Sequence, residues 1–315
     1  MGDATRALPA AHPPPCPRPG AEVGAGHGDP RKGLFSELKL AVPWGHIAAK
    51  AWGSQQAPPV LCLHGWLDNA NSFDRLIPLL PKDFHYVAMD FGGHGLSSHY
   101  SPGLPYYQEN FVSDIRRVVA ALKWKRFSIV GHSFGGVVGG MGVEDVLTYR
   151  RGAIEHMLQV EASQKPRQVL SPEEMLQRFL KNNSHVSEEC ARLLLQRGTT
   201  EVAAGLIMNR DRRMALPEYS MDFISRELFV HSAKKLQAHV LLLKAIQGYY
   251  NVRRENDSDR NVLLFVMDTL QSVLKERFQY VEVPDNHYVH LNQPQNVAGF
   301  ISAFLLSKET APHEP

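Results

Sequence analysis

Gly131-His132-Ser133-Phe134-Gly135 decides how this chain is read. The five residues follow an apolar run, Phe127 to Val130, that has strand length. They precede a run of small residues, Gly135 to Gly140, that suits a helix start. A Gly-x-Ser-x-Gly stretch between strand and helix forms a turn sharp enough to lift the serine hydroxyl clear of a sheet. Glycine is required at both flanks because a Cβ there would collide with neighbouring backbone. Ser133 is therefore the candidate nucleophile.

Working outward, short apolar runs alternate with helical spacing. Leu34 to Val42 and Gly45 to Trp52 read as two strands around Pro43-Trp44. Val60 to Leu63 and Tyr86 to Met89 read as buried strands. Ser72 to Leu80 reads as a helix capped by Ser72. Asn110 to Leu122 carries helical spacing through Phe111, Ile115, Val118, Val119 and Leu122. Such alternation implies a largely parallel sheet covered on both faces. From Gly142 to Leu236 the pattern is helical and polar. No short Val/Ile/Leu run bounded by turn residues marks a strand there. Alternation resumes with a strand Val240 to Lys244, a helix near Asn261 to Lys275, a strand Tyr280 to Val283 and a helix Pro294 to Leu305.

Composition sets the outer limits. At 315 residues, 43% hydrophobic, the chain can bury a substantial core as one domain with an inserted cap. A net charge of +2 gives no footprint for nucleic acid. The apolar runs are strand-length, so no integral membrane segment is expected. Cys16, Cys62 and Cys190 have neither paired nor metal-ligand spacing, as suits reduced thiols in an intracellular, cytoplasmic protein. The C-terminal residues carry no peroxisomal or retention address. Residues 1–33 are rich in Pro, Ala and Gly and cannot build a core. The expected organisation is a disordered extension at 1–33, a first core segment at 34–141, a helical cap at 142–236, a second core segment at 237–307 and a tail at 308–315.

A serine nucleophile needs a base, an acid to orient the base, and donors for the oxyanion. The base is sought after the last strand, where His287 stands in Val283-Pro284-Asp285-Asn286-His287. His290 is its rival and is expected to pack beneath it. One oxyanion donor is the amide of Phe134, directly after the nucleophile. The second is expected from the loop His64-Gly65-Trp66-Leu67-Asp68-Asn69, through the amide of Trp66. The glycine-rich Asp90 to Ser97 lacks the Lys-Ser of a phosphate loop and reads as a structural turn.

His64-Gly65-Trp66, Asp90 with Gly92 to Ser97, Gly131 to Gly135, and His287 with Pro294 follow the order and spacing of the α/β-hydrolase superfamily. The fuller strings His64 to Ala70 and Gly131 to Met141 resemble its serine hydrolase-like branch. The resemblance spans Leu34 to Leu306. It implies an α/β-hydrolase fold with a mostly parallel sheet of eight strands, a helical cap, a Ser-acid-His triad and no cofactor. The retained nucleophile, base and oxyanion loop favour a serine hydrolase acting on a small acyl or ester substrate. The resemblance also exposes two departures. Gly140-Met141 runs directly into cap-like sequence, so the sixth strand and the end of the elbow helix, about 30 residues in this reading, are missing. Val240 to Lys244 then either slides over to pair with Phe127 to Val130, or the sheet splits. The second departure is Asn251, which falls where the family places its acid. Asp257 is the nearby carboxylate assigned instead, with Glu255 next and Asp259 also at hand. The alternative to an active enzyme is an impaired relative that binds a ligand or partner, or folds poorly.

Overall fold

The computed structural model describes residues 35–140, 167–214, 226–248 and 257–309. A hairpin opens it. β1 (Ser36–Val42) and β2 (Gly45–Trp52) pair antiparallel around Pro43-Trp44. β3 (Pro59–Leu63), β4 (His85–Met89) and β5 (Ser128–Gly131) complete a five-stranded sheet in the order β1-β2-β4-β3-β5. β2 meets β4 antiparallel, whereas β3 runs parallel to both β4 and β5. Parallel neighbours need crossovers. The one between β4 and β5 carries α1 (Gln108–Ala121), whose buried stripe is Phe111, Ile115 and Val118.

Alternation along β3 builds two core layers, because successive strand residues face opposite ways. Leu61 and Leu63 join Leu38, Ile47, Met89 and Phe111 on one face. Val60 and Cys62 join Phe73, Ala88, Val297 and Ile301 on the other. The last two come from α8, defined below. The buried Cys62 is thus a core residue, its thiol pushed up far from ionisation by burial.

After β5 the chain enters α2 (Phe134–Gly140). The cap region contributes α3 (Pro172–Asn182) and α4 (Glu188–Gly198). Ser171 and Glu174 form a reciprocal capping box on α3, and the Ser187 side chain caps α4. Against the expectation of an all-helical cap, β6 (Thr199–Val202) and β7 (Gly205–Met208) form an antiparallel hairpin. β6 is polar but for Val202, and β7 carries only three apolar residues, so neither stands out as an apolar run. Leu206 anchors the hairpin by pairing with Leu170.

α5 (Arg226–Lys235), β8 (Val240–Gln247), α6 (Asp257–Leu274), β9 (Phe278–Asn286), α7 (Val289–Asn292) and α8 (Gln295–Glu309) close the chain. β8 and β9 pair parallel as a separate two-stranded sheet. Of the two outcomes that the sequence left open, the sheet splits. Among the described residues β5 pairs only with β3, and no strand bridges β5 to β8. No helix among them is long and apolar enough to cross a membrane.

Ser72 to Leu80 is a further correction. Two 3-10 turns, Ala70–Phe73 and Ile77–Leu79, replace the expected helix. Pro78 has no N–H to donate within a longer helix. The cap is Asn69 rather than Ser72: its side chain accepts from the Asn71 amide. Ser72 is instead buried against His290.

Candidate active site

Ser133 stands at the junction of β5 and α2 with φ at +50°, in the left-handed region that costs a non-glycine residue strain. Its neighbours show why the turn closes only with glycine. A Cβ on Gly135 would lie 2.2 Å from the Leu63 carbonyl oxygen, and one on Gly131 would lie 2.6 Å from the Gly136 backbone. The His132 amide donates to the Leu63 carbonyl, so the elbow is stitched to the end of β3. The Ser133 side chain is exposed.

The loop after β3 faces the elbow. Trp66 packs edge-on against Phe134 at 5.1 Å and against His94 and Phe111. The amides around these two residues are engaged: Gly135 donates to the His132 carbonyl, Leu67 to His94 Nε2, and Asp68 to the Gly65 carbonyl. The amides of Trp66 and Phe134 themselves donate to no acceptor among the described residues. An oxyanion site calls for two such free N–H groups beside the nucleophile; Phe134 adjoins Ser133 in sequence, and the Trp66 ring packs on the Phe134 ring.

His287 follows β9 directly. Burial, with the charge of His185 second, pushes its pKa down to about 4, so its ring is neutral at pH 7 and able to accept a proton. Its backbone carbonyl lies 2.9 Å from Nε2 of His132, and the two rings are 4.8 Å apart. His290 packs beneath, its ring 3.9 Å from that of His132 and its Nε2 3.2 Å from the Ser72 hydroxyl. Burial pushes its pKa down to about 3. Asn251 and Glu255 lie outside the described residues. So do the side chains of Asp259 and of Asp257, whose backbone opens α6.

Sequence reading did not anticipate two features. His132, the wildcard residue of the elbow motif, organises the site through the contacts above. Arg197 at the end of α4 is buried, and its guanidinium reaches Asp90 at 2.8 Å and Glu37 at 2.8 Å. Asp90 also accepts from the Ala70 and Leu96 amides. The Asp90 to Ser97 turn is thereby clamped between the core and the cap region. A residue 107 positions away in sequence gives no local signal of that pairing.

A strained serine between strand and helix, beside a parallel-strand core, defines an α/β hydrolase. Residues 58–141 match the family model described as alpha/beta hydrolase fold. The chain is 66% identical to human serine hydrolase-like protein 2 over 298 aligned positions, covering 87% of this chain and 95% of that protein. It is 64% identical to the mouse serine hydrolase-like protein, covering 87% and 96%. The chain belongs to the serine hydrolase-like family. Because 87% of 315 residues is about 274, at least about 24 of the 298 positions aligned with the human relative are empty in this chain. A solved hypothetical protein from Pseudomonas aeruginosa PAO1 superposes with a TM-score of 0.72 at 27% identity, over 86% of this chain and 99% of that one. The thioesterase domain from the curacin biosynthetic pathway superposes at 0.68 and 20% identity, over 87% and 99%, a likeness of fold alone.

Proposed function

We propose that the protein hydrolyses a small carboxylic ester or related acyl substrate through Ser133. The observation that carries this reading is the strained Ser133 on its strand-to-helix turn, next to Phe134 and the Trp66 ring packed on it, with the amides of both donating to no acceptor among the described residues. Ser133 Oγ attacks the acyl carbon while His287 takes the hydroxyl proton. The two amides hold the oxyanion. His287 then returns the proton to the leaving alcohol, and an acyl-Ser133 ester remains. Water attacks that ester, again losing a proton to His287, and the carboxylic acid leaves with Ser133 regenerated. Asp257 is the carboxylate assigned to orient His287. No step in this scheme calls for a cofactor.

A second reading is a relative that keeps the fold but not turnover. The split between β5 and β8 among the described residues favours it. A fluorophosphonate probe separates the two. Labelling of the folded full chain that vanishes in Ser133→Ala supports the hydrolase. Folded protein that takes up no probe leaves only the binding reading.

A further inference from the structure

Three buried polar atoms beside the elbow have no hydrogen-bond partner among the described residues: Nδ1 of His132, Oδ2 of Asp68 and Nδ1 of His290. The first two face each other at 3.8 Å. The loop glycine leaves them face to face, since a Cβ on Gly65 would lie 2.8 Å from Asp68 Oδ2 and 2.9 Å from His132 Nδ1.

The other ends of both groups are committed. His132 Nε2 lies 2.9 Å from the His287 carbonyl oxygen. A carbonyl oxygen only accepts, so Nε2 carries the ring hydrogen. His132 is neutral, because burial together with His290 and His287 pushes its pKa well down. Its Nδ1 is therefore a bare lone pair in a dry site. Asp68 Oδ1 accepts from the Tyr288 hydroxyl at 3.3 Å. An ionised Oδ2 would oppose the Nδ1 lone pair with another, whereas a protonated Oδ2 would donate to it. Closing 3.8 Å to hydrogen-bond length takes a movement of about 1 Å.

We propose that Asp68, carrying its proton, is a positioning residue. Its carboxyl donates to His132 Nδ1, fixes the His132 tautomer, and so keeps His132 Nε2–H on the backbone of His287. The inference deepens the serine-hydrolase reading and rests on it, because it gives the site a device for holding its base loop beside the elbow. Asp68, His132 and Tyr288 tie together the three loops that follow β3, β5 and β9.

The arrangement has one consequence that a purely structural contact lacks. When Asp68 gives its proton to solvent, the carboxylate can be satisfied only if the single ring hydrogen of His132 moves from Nε2 to Nδ1. Nε2 then presents a lone pair to the His287 carbonyl, and that bond is lost. One proton leaves the pair and none is created. The groups facing Asp68 are His132, Tyr288 and Arg210. Those facing His132 are His64, His287, Tyr288, His290 and Asp68. Burial raises Asp68 to about 7, against the Tyr288 hydrogen bond and the Arg210 charge.

Imidazole ¹⁵N spectroscopy of the full chain reads the tautomer directly, with His132→Gln identifying the signal. The expected result is an Nε2–H tautomer at pH 6 that converts to Nδ1–H by pH 8.5, with a midpoint near 7. In Asp68→Asn, whose amide donates at every pH, Nε2–H persists throughout. In Asp68→Ala the pH-driven conversion is lost. A His132 tautomer that does not change with pH in the unmodified chain would overturn the proposal, and so would one that titrates unchanged in Asp68→Asn. The first of these results needs only the unmodified chain, so a poorly folding variant does not protect the idea. The tautomer is read without turnover, so failure of Ser133 to take the fluorophosphonate would sink the hydrolase reading and leave this result standing.

Discussion

β3 and β5 lie side by side, pair in parallel and carry similar apolar residues, yet they live in different environments. Val60 to Leu63 of β3 are fully buried, with β4 on one side and β5 on the other. In β5, Ile129 is 41% exposed, and β3 is its only partner among the described residues. β8 repeats the condition from across the gap: it pairs only with β9 there, and Ile246 is 47% exposed. The difference is one of neighbours rather than of composition. A parallel strand is normally buried on both faces and paired on both edges. β5 has the sequence of such a strand without a second neighbour among the described residues. Ser133 thus sits just past the end of a strand whose outer edge is unpaired among the described residues.

Truncating one strand and then the other should give the largest contrast. Leu61→Ala opens a cavity in a fully buried layer and should cost about 2–5 kcal/mol. Ile129→Ala, already 41% exposed, should cost under about 1.5 kcal/mol. Denaturant midpoints at constant slope measure both. Equal losses would mean that β5 is covered in solution by something other than the residues described. Hydrogen exchange tests the same contrast without mutation. Amides of β3 and β4 should exchange only by global unfolding, and those of β5 and β8 by local opening at lower free energy.

Acid should reverse the ranking. His64 follows β3 directly and His94 lies in the buried turn after β4, and burial pushes them down to about 4 and about 3. His290 is held at about 3. Each is neutral when folded but titrates near 6.5 when unfolded. The unfolded chain therefore binds more protons between pH 6.5 and about 4. Their contribution to stability is complete above 6.5 and is lost as pH falls through that window. Asp68 and Asp114 oppose this, because both are raised to about 7 and favour the folded state at the acid end of the same range. With the histidines in excess, the denaturant midpoint should drop between pH 7 and pH 4.5. Exchange should loosen first around His64 and His94 rather than in β5. A midpoint that rises on acidification would show that the two carboxyls dominate.

The elbow was legible in the sequence because its constraints are local. Gly131, Gly135 and the strand-to-helix switch all fall within a few residues, and each glycine answers a clash that the backbone itself creates. The place of His287 was legible because Tyr280 to Val283 reads as the last strand and His287 stands just after it. Arg197 was not, since its value lies in reaching Asp90 and Glu37, which no helical periodicity encodes. The β6–β7 hairpin escaped because β6 is polar but for Val202 and β7 carries only three apolar residues. The split sheet was anticipated as one of two outcomes. Choosing between them depended on tertiary packing, and Val240 to Lys244 reads as a buried strand in either case.

The smallest effects should come from the apolar side chains that border the gap. Ile129→Thr and Ile246→Lys each replace a side chain more than 40% exposed. In a sheet continuous across β5 and β8 both would place polar groups in a dry core and cost several kcal/mol, roughly the penalty of an unpaired buried group. In the split arrangement neither side chain has to leave water. Each substitution should then change stability by no more than about 0.5 kcal/mol, as surface replacements do. Thr keeps the β-branch that suits a strand, so Ile129→Thr should be the milder of the two. The pair is informative because its expected effect is small: a large loss at either position would place that strand edge inside a core, and with it the environment in which Ser133 works.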